Sequence, residues 1–192
     1  MPPPAGLAEL LIDLASALQT LGAPWYVFGA QAALIWGRPR LTTDVDATVR
    51  LESGNTAALV DTLTARGFAL RFDATADFVQ QTRVLPMRHE PSGLDLDLVL
   101  AGPGLEEAFL SRAVLVDLSG TQIPFISPED LIVTKILAGR SKDLDDIRGV
   151  LEERGDSLRV DQIRDTLRMI ESALGQSDLL PLFEHEHSRG RR

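Results

Sequence analysis

The chain has 192 residues, no cysteine, 44% hydrophobic residues and a formal net charge of −9. This composition suits one globular core with a smaller appendage, and it excludes a disordered chain, a disulfide framework and thiolate chemistry. No apolar run reaches the roughly 18 residues of a membrane span, the start lacks the basic region and cleavage pattern of a secretory signal, and the acidic balance argues against generic nucleic-acid binding; a cytoplasmic protein is expected.

Taken in order, Leu7, Leu10, Leu11, Leu14, Leu18 and Leu21 recur at helical spacing ahead of Gly22, which predicts a first helix over 7–21. Trp25 to Phe28 reads as a buried strand, and Gly29 allows a tight exit into a helix over 31–36. A strand–Gly–helix junction leaves the first backbone N–H groups of the helix unpaired, so Gly29 and Ala30 can hold a phosphate. Arg38-Pro39-Arg40 must be loop, because proline blocks a helix interior.

Strands follow over 42–49 and 68–72, around an amphipathic helix over 55–66 closed by Gly67. A short helix is expected over 74–81. Val84–Arg88 and Leu94–Leu100 flank Pro91-Ser92-Gly93 and read as a hairpin. A helix over 104–111 precedes a second hairpin, 113–118 with 122–125. From Ser127 the pattern is helical: Ser127-Pro128-Glu129-Asp130 is a capped start, Ser141 is expected to cap a helix over 142–154, and a third helix spans 161–174. The expected organisation is a core over 1–126, a helical region over 127–180 and a flexible tail over 181–192, with its final Arg189-Gly190-Arg191-Arg192.

Two acidic stretches carry the chemistry. Asp44 and Asp46 are two residues apart, so on a strand both carboxylates leave one face. Asp95 and Asp97 alternate with Leu94, Leu96 and Leu98 in the same way. Neighbouring carboxylates repel unless a cation lies between them, and a hard divalent ion such as Mg²⁺ suits oxygen ligands. Lys135, Lys142 and Arg40 are candidate partners for phosphate, and each also reads as a surface cation. Lys142 and Asp146 stand at i, i+4 and fit a surface ion pair. Gln31 reads as a nucleotide contact or a polar position in a first helical turn. His89, beside a turn, reads as structural; His185 and His187 fall in the tail.

Gly29-Ala30, then Arg40-x-Thr42-x-Asp44-x-Asp46, then the Asp97 strand, resemble the core of the nucleotidyltransferase (DNA polymerase β-like) superfamily. Ser127-Pro128-Glu129-Asp130-Leu131-Ile132, with Lys135, Ala138-Gly139-Arg140, Lys142-Asp143 and Asp146-Ile147, is similar to AbiEii-type toxin–antitoxin nucleotidyltransferases. The resemblance covers about residues 24–152. It implies an α/β (α+β) fold, a mixed sheet flanked by helices with a small C-terminal helical region, and transfer of a nucleoside monophosphate from an NTP to an acceptor. It further implies two Mg²⁺ ions held by Asp44, Asp46 and Asp97, with Asp95 the rival for the third position. Gly29, Ala30, Arg40, Thr42, Lys135 and Lys142 are then the nucleotide-binding set. Where relatives carry Gly-Gly or Gly-Ser, Ala30 keeps the backbone donor and lacks a hydroxyl.

The expected acceptor is RNA (tRNA ends) or a partner protein, with a cognate toxin or antitoxin as a possible partner and no membrane. Two alternatives stand beside it: transfer to a small hydroxylated molecule of the antibiotic type, and a catalytically silent domain that binds a protein.

Overall fold

The computed structural model describes residues 5–38, 42–51, 55–72 and 76–189. It shows a mixed α/β fold whose described residues form a seven-stranded sheet in the order β3-β4-β5-β2-β1-β7-β6. The strands are β1 (Trp25–Phe28), β2 (Asp44–Val49), β3 (Phe68–Leu70), β4 (Val84–His89), β5 (Leu94–Leu100), β6 (Val114–Leu118) and β7 (Thr121–Phe125). β2 and β5 pair in parallel, as do β1 and β7; the other pairs are antiparallel. No helix of the described residues is long and apolar enough to cross a membrane.

The chain divides into two units, residues 1–31 with 42–126, and residues 32–41 with 127–192. The first contains the sheet together with α1 (Ala5–Thr20), α3 (Thr56–Thr64), α4 (Ala76–Thr82) and α5 (Leu105–Arg112). Strand alternation sends Val27, Val45, Ala47, Leu85, Met87, Leu96 and Leu98 to one face, where all are buried. α1 and α3 supply Leu10, Leu11, Leu14, Leu18, Leu59 and Leu63 to the same core. His89 is fully buried in this unit, with Nδ1 at 2.8 Å from Ser92 Oγ and Nε2 at 3.2 Å from Asp13 Oδ2, so its role there is structural.

Most strands keep their expected places, and β3 is shorter than its apolar sequence suggests. It stops at Leu70 because the next register partner is Pro86. The Arg71 N–H donates to the Pro86 carbonyl at 3.2 Å, but proline has no N–H to return, so the ladder ends. β2 begins at Asp44 rather than Thr42: the Thr43 hydroxyl donates to Asp44 Oδ1 at 3.2 Å and Thr42 Oγ1 lies 3.5 Å from the Asp44 carbonyl. Local side-chain bonds of this kind compete with strand pairing.

The second unit is helical: α6 (Pro128–Ala138), α7 (Ser141–Arg154), a 3₁₀ turn (Gly155–Ser157), α8 (Val160–Leu174) and α9 (Leu179–Arg189). Ser127 caps α6 as expected, accepting from the Asp130 N–H at 3.1 Å. At α7 the cap is Arg140 rather than Ser141, with no side-chain capping bond. α2 (Gly29–Trp36) gives its first turn to the sheet unit and the rest to this one. Gly37 and Gly149 allow the chain after α2 to lie against α7; a Cβ on Gly37 would sit 2.9 Å from the Gly149 carbonyl carbon.

Leu179–Arg189 form a helix, which takes in residues 181–189 of the flexible tail expected over 181–192. Leu179 and Phe183, one turn apart, are buried. Two guanidiniums hold the helix: Arg148 donates to Glu186 at 2.7 and 3.1 Å, and Arg164 to Glu184 at 2.7 and 3.1 Å. Residues 190–192, expected as part of the tail, lie outside the described residues.

Candidate active site

The sheet face opposite α1 and α3 carries the acids. In the parallel pair, Asp44 stands beside Asp95 and Asp46 beside Asp97. Adjacent strands lie about 4.8 Å apart, so four carboxylates share one small area of sheet. On the outer side of β5 the hairpin register places Arg88 opposite Asp95 and Pro86 opposite Asp97. On the outer side of β2, Phe28 stands opposite Asp46.

Among the described residues, Arg71 and Arg88 bring positive charge to this face, and neither stands out in the sequence. Arg88 Nη1 donates to Asp95 Oδ1 at 3.0 Å. The Arg71 guanidinium reaches Asp95 Oδ2 at 3.4 Å and pairs with Asp97 Oδ1. Arg88 was legible: counting back across the Pro91–Gly93 turn puts it opposite Asp95. Arg71 was not, because its approach depends on how β3 pairs with β4.

The β1–α2 junction abuts the same acids. Gly29 has φ of 65° and an ideal Cβ there would collide with Asp46, lying 2.9 Å from its Cγ. Only a residue without a side chain lets the Asp46 carboxylate occupy that place. Gln31, 4% exposed, donates from Nε2 to the Asp44 carbonyl at 3.2 Å. It therefore ties the first turn of α2 to the start of β2. Its Oε1 is buried with no partner among the described residues. Ala30 is buried in the same turn. Thr42 bears on the Asp44 backbone, and Arg40 lies outside the described residues.

The all-oxygen donor set and the orphaned Gln31 oxygen suit a hard divalent cation. The cage itself is not closed: among the described residues, no three acidic or histidine side chains are gathered closely enough to hold a metal. Arg71 draws the Asp97 carboxylate toward itself instead.

The two lysines proposed for phosphate contact both lie in the helical unit. Lys135 is 5% exposed and its Nζ donates to Asp143 Oδ1 at 3.0 Å and to Asp146 Oδ2 at 2.6 Å. Arg140 adds bonds to Asp143 at 2.5 and 3.2 Å. Burial pushes the Asp143 carboxyl up, but the bonds from Arg140 and Lys135 outweigh it and hold it below the ordinary value. Asp146 is thus a buried partner of Lys135 rather than half of a surface pair with Lys142, and Lys142 is exposed.

In fold, the chain is similar to several nucleotidyltransferases. The solution structure of the antibiotic-resistance factor ANT(2'')-Ia superposes with a TM-score of 0.57 at 16% identity, over 95% of this chain and 97% of that one. An antigenic nucleotidyltransferase-like protein from Paracoccidioides brasiliensis gives 0.51 at 17% identity, over 94% and 95%. The lincosamide antibiotic adenylyltransferase LnuA, in its lincomycin-bound crystal structure, gives 0.51 at 16%, over 74% and 94%. The fold is therefore of the nucleotidyltransferase class. Residues 8–172 match the family described as nucleotidyltransferase of unknown function (DUF6036), and the chain belongs to that family. No curated protein matches it.

Proposed function

We propose that the protein is a Mg²⁺-dependent nucleotidyltransferase that moves a nucleoside monophosphate from an NTP to an acceptor hydroxyl. The observation that carries this reading is the register of β2 against β5, which sets Asp44, Asp46, Asp95 and Asp97 side by side on one face, next to the Gly29 turn. Asp44 and Asp46 would hold the metal, and Asp97, beside Asp46, completes the site. Bound Mg²⁺ would supply charge neutralisation at the attacking and leaving oxygens.

The chain's own contribution is placement. The N–H groups of the Gly29–Ala30 turn cradle phosphate, and Gln31 fixes that turn relative to Asp44. The acceptor oxygen forms a bond to the α-phosphorus, the bond from that phosphorus to the β-bridging oxygen breaks, and pyrophosphate leaves. The hydroxyl proton passes to Asp97. A net charge of −9 and a carboxylate-rich face favour a small neutral or cationic acceptor over a polyanion. This fits the likeness to structures of antibiotic-modifying proteins. Transfer to tRNA ends or to a partner protein, as in toxin–antitoxin systems, is the competing reading of the acceptor, and location in the cytoplasm is part of the same proposal.

The test is calorimetric titration of ATP, GTP, CTP and UTP with and without Mg²⁺, on wild type and on Asp46→Asn. The expected result is binding that requires both the metal and Asp46, in a variant that folds normally because it loses one charge from a repelling group. A folded wild type that binds no nucleotide would leave a silent, partner-binding domain as the reading.

A further inference from the structure

Arg71 brings its positive charge to the β5 acids of this face. Its guanidinium lies between Asp95, at 3.4 Å, and Asp97. Three features make that contact one that can be given up. Asp95 keeps a second partner, Arg88 at 3.0 Å, so it stays compensated if Arg71 leaves. The Arg71 side chain is 29% exposed, which keeps its ion pairs weak. Its backbone sits just past the end of β3, where Pro86 has stopped the ladder, and among the described residues its backbone N–H bonds to the Pro86 carbonyl. Asp97 is also the acid that the proposed reaction needs, and a carboxylate held by a guanidinium is a poor ligand for a metal and a poor acceptor for a proton.

Resting on the nucleotidyltransferase reading, we propose that Arg71 is a displaceable counter-cation: it occupies Asp97 in the absence of nucleotide and exchanges it for the phosphates of the incoming NTP. The charges balance in both states. A guanidinium compensates Asp97 in this structure. With nucleotide bound, Asp97 would be compensated by the divalent ion, and Arg71 would be left to donate two parallel bonds to the triphosphate. Arg71 is then a positioning residue that couples metal entry to nucleotide entry.

The experiment is titration of Mn²⁺, followed by electron paramagnetic resonance, on wild type, Arg71→Ala, Arg71→Lys and Asp46→Asn, first without and then with a non-hydrolysable ATP analogue. If Arg71 competes with the metal, Arg71→Ala binds Mn²⁺ about threefold to fivefold tighter without nucleotide, the range of an exposed ion pair. The same variant binds the analogue at least tenfold more weakly, as expected when a hydrogen bond to a charged group is lost. Arg71→Lys, which keeps the charge, stays near wild type for Mn²⁺ and guards against a folding artefact. Unchanged Mn²⁺ affinity in Arg71→Ala, with binding lost in Asp46→Asn, would overturn the exchange and leave the metal site standing. Absence of Mn²⁺ binding in wild type and Arg71→Ala alike, with the analogue present, would overturn both readings.

Discussion

At the level of single residues, the site rests on places where one side chain type fits. Gly29 takes a positive φ of 65° against Asp46. Gly29→Ala is expected to cost roughly 1–2 kcal/mol from the left-handed backbone alone and to push the Asp46 carboxylate aside. Thermal denaturation reads the first effect and metal-dependent nucleotide binding the second. A variant that melts lower but binds nucleotide as well as wild type would show that Asp46 can serve from another rotamer. The acids were legible in the sequence because alternation with leucine tells which face they share. Arg71 stayed hidden for the opposite reason: its partners lie 24 and 26 residues away, and only strand pairing brings them near.

At the level of elements, the helical unit shows where local reasoning fails. Lys135 looks in sequence like a phosphate ligand or a surface cation, yet α6 packs on α7 so that its ammonium meets Asp143 and Asp146, 8 and 11 residues on. Removing one member of a buried ionic cluster leaves charge uncompensated. Lys135→Ala is expected to destabilise the protein by about 3–5 kcal/mol, and Lys142→Ala by no more than about 0.5 kcal/mol. Urea unfolding curves for both variants check this. Equal midpoints would mean that the cluster contributes no stability. In the sequence His185, Glu186, His187 and Ser188 mask α9, and Leu179 and Phe183, at i and i+4, are the apolar spacing that marks it.

At the level of the whole molecule, acid sensitivity should concentrate in the helices. Burial pushes the Glu129 carboxyl up, but Arg159 outweighs it and holds it below the ordinary value. Arg148 lowers Glu186 against its burial, and Arg164 lowers Glu184 in the same way. A carboxylate whose value is depressed in the folded state contributes stability that is complete above its unfolded value, 4.5 for a glutamate and 3.8 for an aspartate. That contribution drains away as the pH falls from there through the folded value. Melting temperature followed by far-UV circular dichroism is therefore expected to be flat near neutrality and to drop between about pH 5 and pH 2. Arg164→Ala and Arg148→Ala should make the drop shallower, since they remove the depression; an unaltered profile would assign acid sensitivity elsewhere. The mixed sheet and its order of α and β elements were readable from punctuation by glycine and proline. The grouping of residues 32–41 with the C-terminal helices was not, since it depends on the close passage of Gly37 by Gly149.

The pairing of β2 with β5 has a consequence for how this gene can drift. Both strands write their acids with a period of two, so sliding one strand by two residues still sets Asp46 beside Asp95 and keeps every carboxylate on its side of the sheet. Sliding it by one sends that strand's own two carboxylates into the leucine core. Insertions or deletions within the strands are therefore survivable in pairs and ruinous singly, and related sequences should vary there by even steps. Their loops, which carry no such phase, are under no parity rule.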